Sequence, residues 1–346
     1  IASQQQIDSL STLLVYNRAL GSFTYLWQQS DQVDFTIDVP RGLNGAYPFG
    51  EPQVSPDGTN LLGVYIDSDA MLSISILNLL DSRVLEIERV LHYSGHDTVP
   101  IYWANDDTIA VSMLNNGEPP FFSRLIDIHT GISLEVPLAR GQEIGPIYLP
   151  HVSPDLTRVA YVDLFNREER LIVSNIRSQD LTTIFSTINF APIRYFSWSL
   201  DSEHIAVITD RNSYGVLQDL TLVDMAGNIN VEIPLTHAAD YARSDANMQW
   251  SSDGQWIAYK TGDPVPVINV LNLSDFAVTS TCLFGEAFWS PDESLLAIVQ
   301  SSLPGETSPG QITRLLVYEP AISTAYEVPV SGLDDVGRVI GWASDG

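Results

Sequence analysis

The chain has 346 residues, 45% hydrophobic and 10% aromatic, which is ample for a packed core and excludes a disordered polymer. Its 43 acids against 16 bases give a net charge of −27, a surface that repels nucleic acid phosphates and anionic lipid headgroups and so argues against both as partners. No apolar run is long enough for a membrane-spanning helix, and the single cysteine, Cys282, excludes an intrachain disulfide.

Three apolar runs open the chain: Leu13 to Asn17, Phe23 to Gln28 and Val33 to Pro40. From Val54 onward a pattern recurs, an aromatic residue or valine followed by Ser-Pro-Asp-Gly or a variant and then a short apolar run. Its aspartates are Asp57, Asp106, Asp155, Asp201, Asp253, Asp292 and Asp345, spaced between 39 and 53 residues apart. That period, with a turn between two apolar runs, marks the blade of a β-propeller.

Each repeat reads as four strands, A to D. The fourth shows it well: YFSWS as A, HIAVIT as B, DLTLVDM as C and INVEIP as D. Each Asp is expected to accept hydrogen bonds from turn amides, and the Gly that follows it permits a positive φ. That Gly stands only at Gly58, Gly254 and Gly346, so the turn type is expected to vary. Trp103, Trp198, Trp250, Trp289 and Trp342 share one repeat position, with Val54 and Val152 in the other two, and are expected to pack between blades. Cys282, in an apolar context, is expected to be buried.

The last repeat supplies only strand A, GRVIGWAS. The expected fold is therefore an all-β, seven-bladed propeller of four-stranded antiparallel blades in one domain, 1–346. Its seventh blade is shared between 1–40 and 336–346, with Leu13 to Asn17 as strand B beside Val339 to Ala343, Phe23 to Gln28 as strand C and Val33 to Pro40 as strand D. Such closure removes both sheet edges. A chain that opens at Ile1 is expected to come from a processed or excised precursor with a signal peptide or an anchor upstream.

The repeats resemble the TolB-like propeller family. The likeness lies in Trp289-Ser290-Pro291-Asp292 with Leu296-Ala297-Ile298, and in Leu222-Val223-Asp224-Met225. It spans the chain and implies a propeller, but the motif recurs in periplasmic scaffolds, peptidase propellers and sugar-degrading lyases, so fold does not assign function. The peptidases need an α/β-hydrolase domain with a G-x-S-x-G elbow, which this chain lacks. Resemblance to oligogalacturonate lyases, which hold a metal in a His-lined channel, makes His92, His96, His151 and His237 candidate ligands. His92, His96 and His237 fall in segments expected to join strand D to strand A. Asp67, Asp69, Asp106, Asp107, Asp334 and Asp335 would suit Ca²⁺, yet none completes a calcium loop. No cofactor is expected on these grounds.

The D-to-A connections carry residue types that anchor protein interfaces, Tyr47, Phe49, Tyr241 and Arg243. Arg194 and Arg338 each stand four residues before their repeat's Trp and are expected at the same end, paired either with a partner's carboxylate or with a neighbouring acid such as Asp334 or Asp335. The expected function is a non-enzymatic, extracytoplasmic scaffold that binds another protein, with the metal-dependent polysaccharide lyase as the alternative.

Overall fold

The structure, a computed structural model, describes residues 2–7, 10–17, 22–28, 53–66, 71–81, 83–92, 101–113, 122–137, 150–165, 168–187, 192–210, 217–236, 248–251, 253–261, 267–291, 295–301, 312–328 and 338–342. Its strands form four-stranded sheets, and in all but one of them each strand lies beside its neighbour in sequence. Blade 1 is β4 (Gln53–Val54), β5 (Asn60–Ile66), β6 (Met71–Asn78) and β7 (Val84–His92). Blade 2 is β8 (Ile101–Asn105), β9 (Thr108–Met113), β10 (Phe122–Asp127) and β11 (Ser133–Pro137). Blade 3 is β12 (His151–Val152), β13 (Arg158–Phe165), β14 (Glu168–Asn175) and β15 (Leu181–Ser186). Blade 4 is β16 (Ile193–Trp198), β17 (His204–Asp210), β18 (Leu217–Asp224) and β19 (Ile229–Thr236). Blade 5 is β20 (Met248–Trp250), β21 (Trp256–Thr261), β22 (Val267–Asn272) and β23 (Val278–Phe284). Blade 6 is β24 (Glu286–Trp289), β25 (Leu296–Ser301), β26 (Ile312–Glu319) and β27 (Thr324–Glu327), with a 3-10 turn at Pro320–Ile322 before the last strand.

These six four-stranded antiparallel blades are each one continuous run of chain, and the expected fold of seven blades with its ring closure is corrected accordingly. The remaining sheet is composite and is not built as expected. Its order is β28 (Arg338–Gly341), β1 (Ala2–Ile7), β2 (Leu10–Asn17) and β3 (Ser22–Gln28). Ser3 stands opposite Val339 and Gln4 opposite Arg338. Leu13 to Asn17 therefore does not adjoin the C-terminal strand; it lies in β2, one strand further out. The polar stretch ASQQQI takes the strand B place, and its three glutamines carry no apolar alternation by which sequence could mark it. Val33 to Pro40, expected as strand D, lies outside the described residues, and β3 holds that place.

Two compact units are formed, Ile1–His96 with Ile268–Val270 and Thr279–Gly346, and Asp97–Val267 with Leu271–Val278. In the second unit, the B strands explain their apolar sequence. Ile205 and Val207 of β17 join Val162, Leu171 and Trp198 in one cluster, while Ala206 and Ile208 join Met248, Ile257 and Tyr259 in another. Both faces of the strand are buried, so the run is apolar without alternation. In the first unit, Ala297, Val299, Leu315 and Val317 form a comparable core against which Trp342 packs.

Tryptophan position explains itself in the same way. Trp198 Nε1 donates to the His151 carbonyl at 2.9 Å, Trp250 Nε1 to Ser197 Oγ at 2.9 Å, and Trp342 Nε1 to the Phe288 carbonyl at 2.8 Å. Each indole reaches strand A of the preceding blade, so the ring is core and its one polar atom is satisfied. Blades 2 and 3 are joined by Tyr102, whose hydroxyl accepts the Val152 amide at 2.7 Å. Burial pushes the Tyr102 phenol well above its ordinary range, against the opposing effect of that amide.

Candidate binding surface

Antiparallel pairing puts the A–B and C–D turns of a blade at one end and the B–C and D-to-A connections at the other. At the first end, the repeat aspartates are bound into their turns. Asp57 accepts Ser55 Oγ at 2.5 Å and the Thr59 amide at 3.1 Å. Asp155 accepts Ser153 Oγ at 2.5 Å and the Thr157 amide at 3.0 Å. Asp201 and Asp253 repeat the pattern with Ser199 and Glu203, and with Ser251 and Gln255. In blade 2 the turn is shorter, and Asn105 rather than Asp106 accepts the amide, that of Asp107 at 3.1 Å. Asp292 and Asp345 lie outside the described residues.

Blade 2 apart, the turn type does not vary as expected: blades 1, 3, 4 and 5 share one conformation. Leu156 and Ser202 adopt φ of 58° and 63°, the same left-handed conformation as Gly58 at 74° and Gly254 at 68°. The reason lies in what the neighbours supply. Ser202 Oγ accepts the Asp155 amide of the preceding blade at 3.0 Å, and Leu156 packs on the core between blades 2 and 3. Arg158 adds a link to Glu203 at 3.1 Å. Cys282, expected in the core, is exposed on β23 with φ of 56°.

The other end carries Arg194, the one expected interface residue whose side chain is described. Its Nε donates to Asp210 Oδ2 at 2.7 Å and its Nη2 stands 2.5 Å from the same oxygen. Asp210 is fully buried while the arginine side chain is 40% exposed. Gln218 Nε2 donates to the second carboxylate oxygen at 2.9 Å. The neighbouring acid is thus Asp210, on the adjacent strand β17, rather than Asp334 or Asp335. Nothing in the spacing pointed to it, since Asp210 closes an apolar strand. Beside it, the Ile193 amide donates to Glu169 Oε2 of blade 3 at 2.7 Å, and Arg170 Nη2 donates to Asp163 Oδ2 at 2.5 Å. Pairing of this kind offsets the cost of burying a carboxylate.

Tyr47, Phe49, Tyr241, Arg243, His96 and His237 lie outside the described residues. Arg338 opens β28, opposite Gln4. His92 is the last residue of β7, opposite Met71, so it belongs to strand D and not to the connection that follows. His151 is in β12, its ring 5.0 Å from both Tyr102 and Phe196.

No family model matches the chain. Among solved structures, it is similar to an oligogalacturonate lyase of Vibrio parahaemolyticus at 13% identity and a TM-score of 0.55, over 97% of this chain and 87% of that one. It is similar to a puromycin-hydrolysing peptidase of Mycobacterium tuberculosis at 11% identity and a TM-score of 0.56, covering 96% of this chain and 54% of the peptidase. A putative TolB from Agrobacterium tumefaciens aligns at 16% identity over 84% of this chain and 96% of that one, with a TM-score of 0.48. The fold is a β-propeller fold. At these identities the likeness concerns the fold alone, and the chain spans about half of the peptidase.

Proposed function

We propose that this chain is a non-enzymatic scaffold that binds another protein, as a subunit of an extracytoplasmic or envelope assembly. The observation that carries this reading is Arg194, part-exposed and fixed on buried Asp210 at the end from which the D-to-A connections leave. A guanidinium positioned before contact loses little freedom on binding, and Arg is among the residue types that dominate interfaces. In this reading Tyr47, Phe49, Tyr241, Arg243 and Arg338 are further partner contacts. The test is affinity for a partner captured from native membranes: Tyr241→Ala or Phe49→Ala should each weaken it by about 2 kcal/mol. Full affinity in both variants would overturn the assignment.

A second reading, a metal-dependent polysaccharide lyase, draws on the fold likeness to the Vibrio lyase over nearly the whole chain. It would use His92, His96, His151 and His237. His151 fits that role poorly, because Tyr102 and Phe196 pack around its ring. Elemental analysis of the purified protein decides: a stoichiometric transition metal, lost in His151→Ala and His237→Ala, would replace the scaffold reading. Stoichiometric calcium would instead revive the acidic pairs as ligands.

A further inference from the structure

The outer strands of blades 3 and 4 present an exposed surface where β15 and β19 begin, although Asp180 accepts Ser178 Oγ at 2.7 Å and Asn228 is bound into its own turn. Residues 181–183 at the start of β15 and 228–230 around the start of β19 are exposed on both faces, with Leu181 and Ile229 each 54% exposed. The two blades adjoin here: the turn leading into β19 packs on the middle of β15, where a Cβ on Gly227 would stand 3.2 Å from the Ile184 carbonyl oxygen. Both strands are last in their sheets, and β15, LTTIFS, carries neither the charge nor the proline that ordinarily closes an edge strand. Exposed carboxylates flank the apolar pair, Asp180 before β15 and Glu232 within β19, on a protein of net charge −27.

We infer that this surface docks an extended segment of another protein in which aliphatic residues alternate with Lys or Arg. The aliphatic side chains cover Leu181 and Ile229, the cations meet Asp180 and Glu232, and the backbone extends the sheet beyond β15. The surface lies at the turn end of the blades, opposite Arg194, so its occupancy is independent of the scaffold surface proposed above and either one stands if the other fails.

The test uses the full chain and a capped octapeptide alternating Lys and Val, followed by fluorescence anisotropy. Saturable binding of one peptide per chain is expected in 50 mM NaCl, at least tenfold weaker in 300 mM. The Leu181→Thr/Ile229→Thr pair keeps strand propensity and should weaken it at least tenfold, with circular dichroism reporting an intact fold. Asp180→Asn/Glu232→Gln should weaken it and flatten the salt dependence. Equal binding by a Lys-Ser peptide, or unchanged binding to the Thr pair, would show diffuse attraction to an acidic protein and overturn the proposal, as would no binding at all.

Discussion

Asp253 shows how one carboxylate closes a turn: Oδ1 takes the Ser251 hydroxyl at 2.6 Å and the Gln255 amide at 2.7 Å. Asp253→Ala leaves both donors to water and should cost about 0.5–2 kcal/mol in urea unfolding, the scale of a lost local cap. Partner affinity should not change, because this turn lies at the end opposite Arg194. Asp155 adds a pH dependence. Burial works against its charge, but Ser153, Thr157 and Arg158 outweigh burial and hold its carboxyl below the ordinary value. Thr130 does the same for Asp127, through its amide and hydroxyl, and Asn228 for Asp224. A carboxylate with a lowered folded pKa stabilises the fold above its unfolded value, about 4, and loses that contribution as pH falls through the folded one. Unfolding free energy should therefore drop below about pH 4, and Asp155→Asn should reduce that slope. An identical acid slope in the variant would contradict the assignment. Gly285 is a harder constraint, at φ of 134° with a Cβ position 2.2 Å from the Val299 carbonyl oxygen. That oxygen belongs to the adjacent strand, so Gly285→Ala should destabilise by more than about 3 kcal/mol, and a near-normal melting temperature would refute the close approach.

Between residues and the whole chain stand the blades, and the indole bridges are what couple them. Trp250 Nε1 reaches Ser197 Oγ across two blades. Trp250→Phe should cost about 1–2 kcal/mol, and combined with Ser197→Ala the two losses should fall short of their sum by about 0.5–1.5 kcal/mol. Strict additivity in that cycle would mean the bond contributes nothing. The blade was legible in sequence wherever burial on both faces imposes an apolar run, as in HIAVIT and its counterparts, and blade 4 has the four strands expected of it. It was not legible where the strand carries no apolar pattern: Ala2–Ile7 is polar in sequence and still fills a strand. The left-handed turns at Leu156 and Ser202 were hidden for a related reason. Gly marks a positive φ by its own chemistry, whereas these two are held there by contacts with an adjacent blade. Among the candidate residues, Arg194 and its end of the blade were readable from its distance to Trp198. Its partner Asp210 was not, because a carboxylate at the close of an apolar strand reads as a turn residue until the fold buries it.

At the scale of the whole chain, the integrity of the first unit depends on how the chain's ends are joined. The C-terminal strand β28 is held by β1, with Gln4 opposite Arg338, and Trp342 just beyond it is anchored to the Phe288 carbonyl of blade 6. Losing β1 strands β28 without its sheet, which sequence alone had assigned to a different segment. The direct measurement is disulfide trapping in a Cys282→Ser background. Gln4→Cys with Arg338→Cys should oxidise within the chain, raise the melting temperature and leave one cross-linked peptide pair in a non-reducing digest. Leu13→Cys with Arg338→Cys should stay reduced. If the Leu13 pair closes and the Gln4 pair does not, β2 rather than β1 lies against the C-terminal strand, and the framework proposed for this protein is wrong.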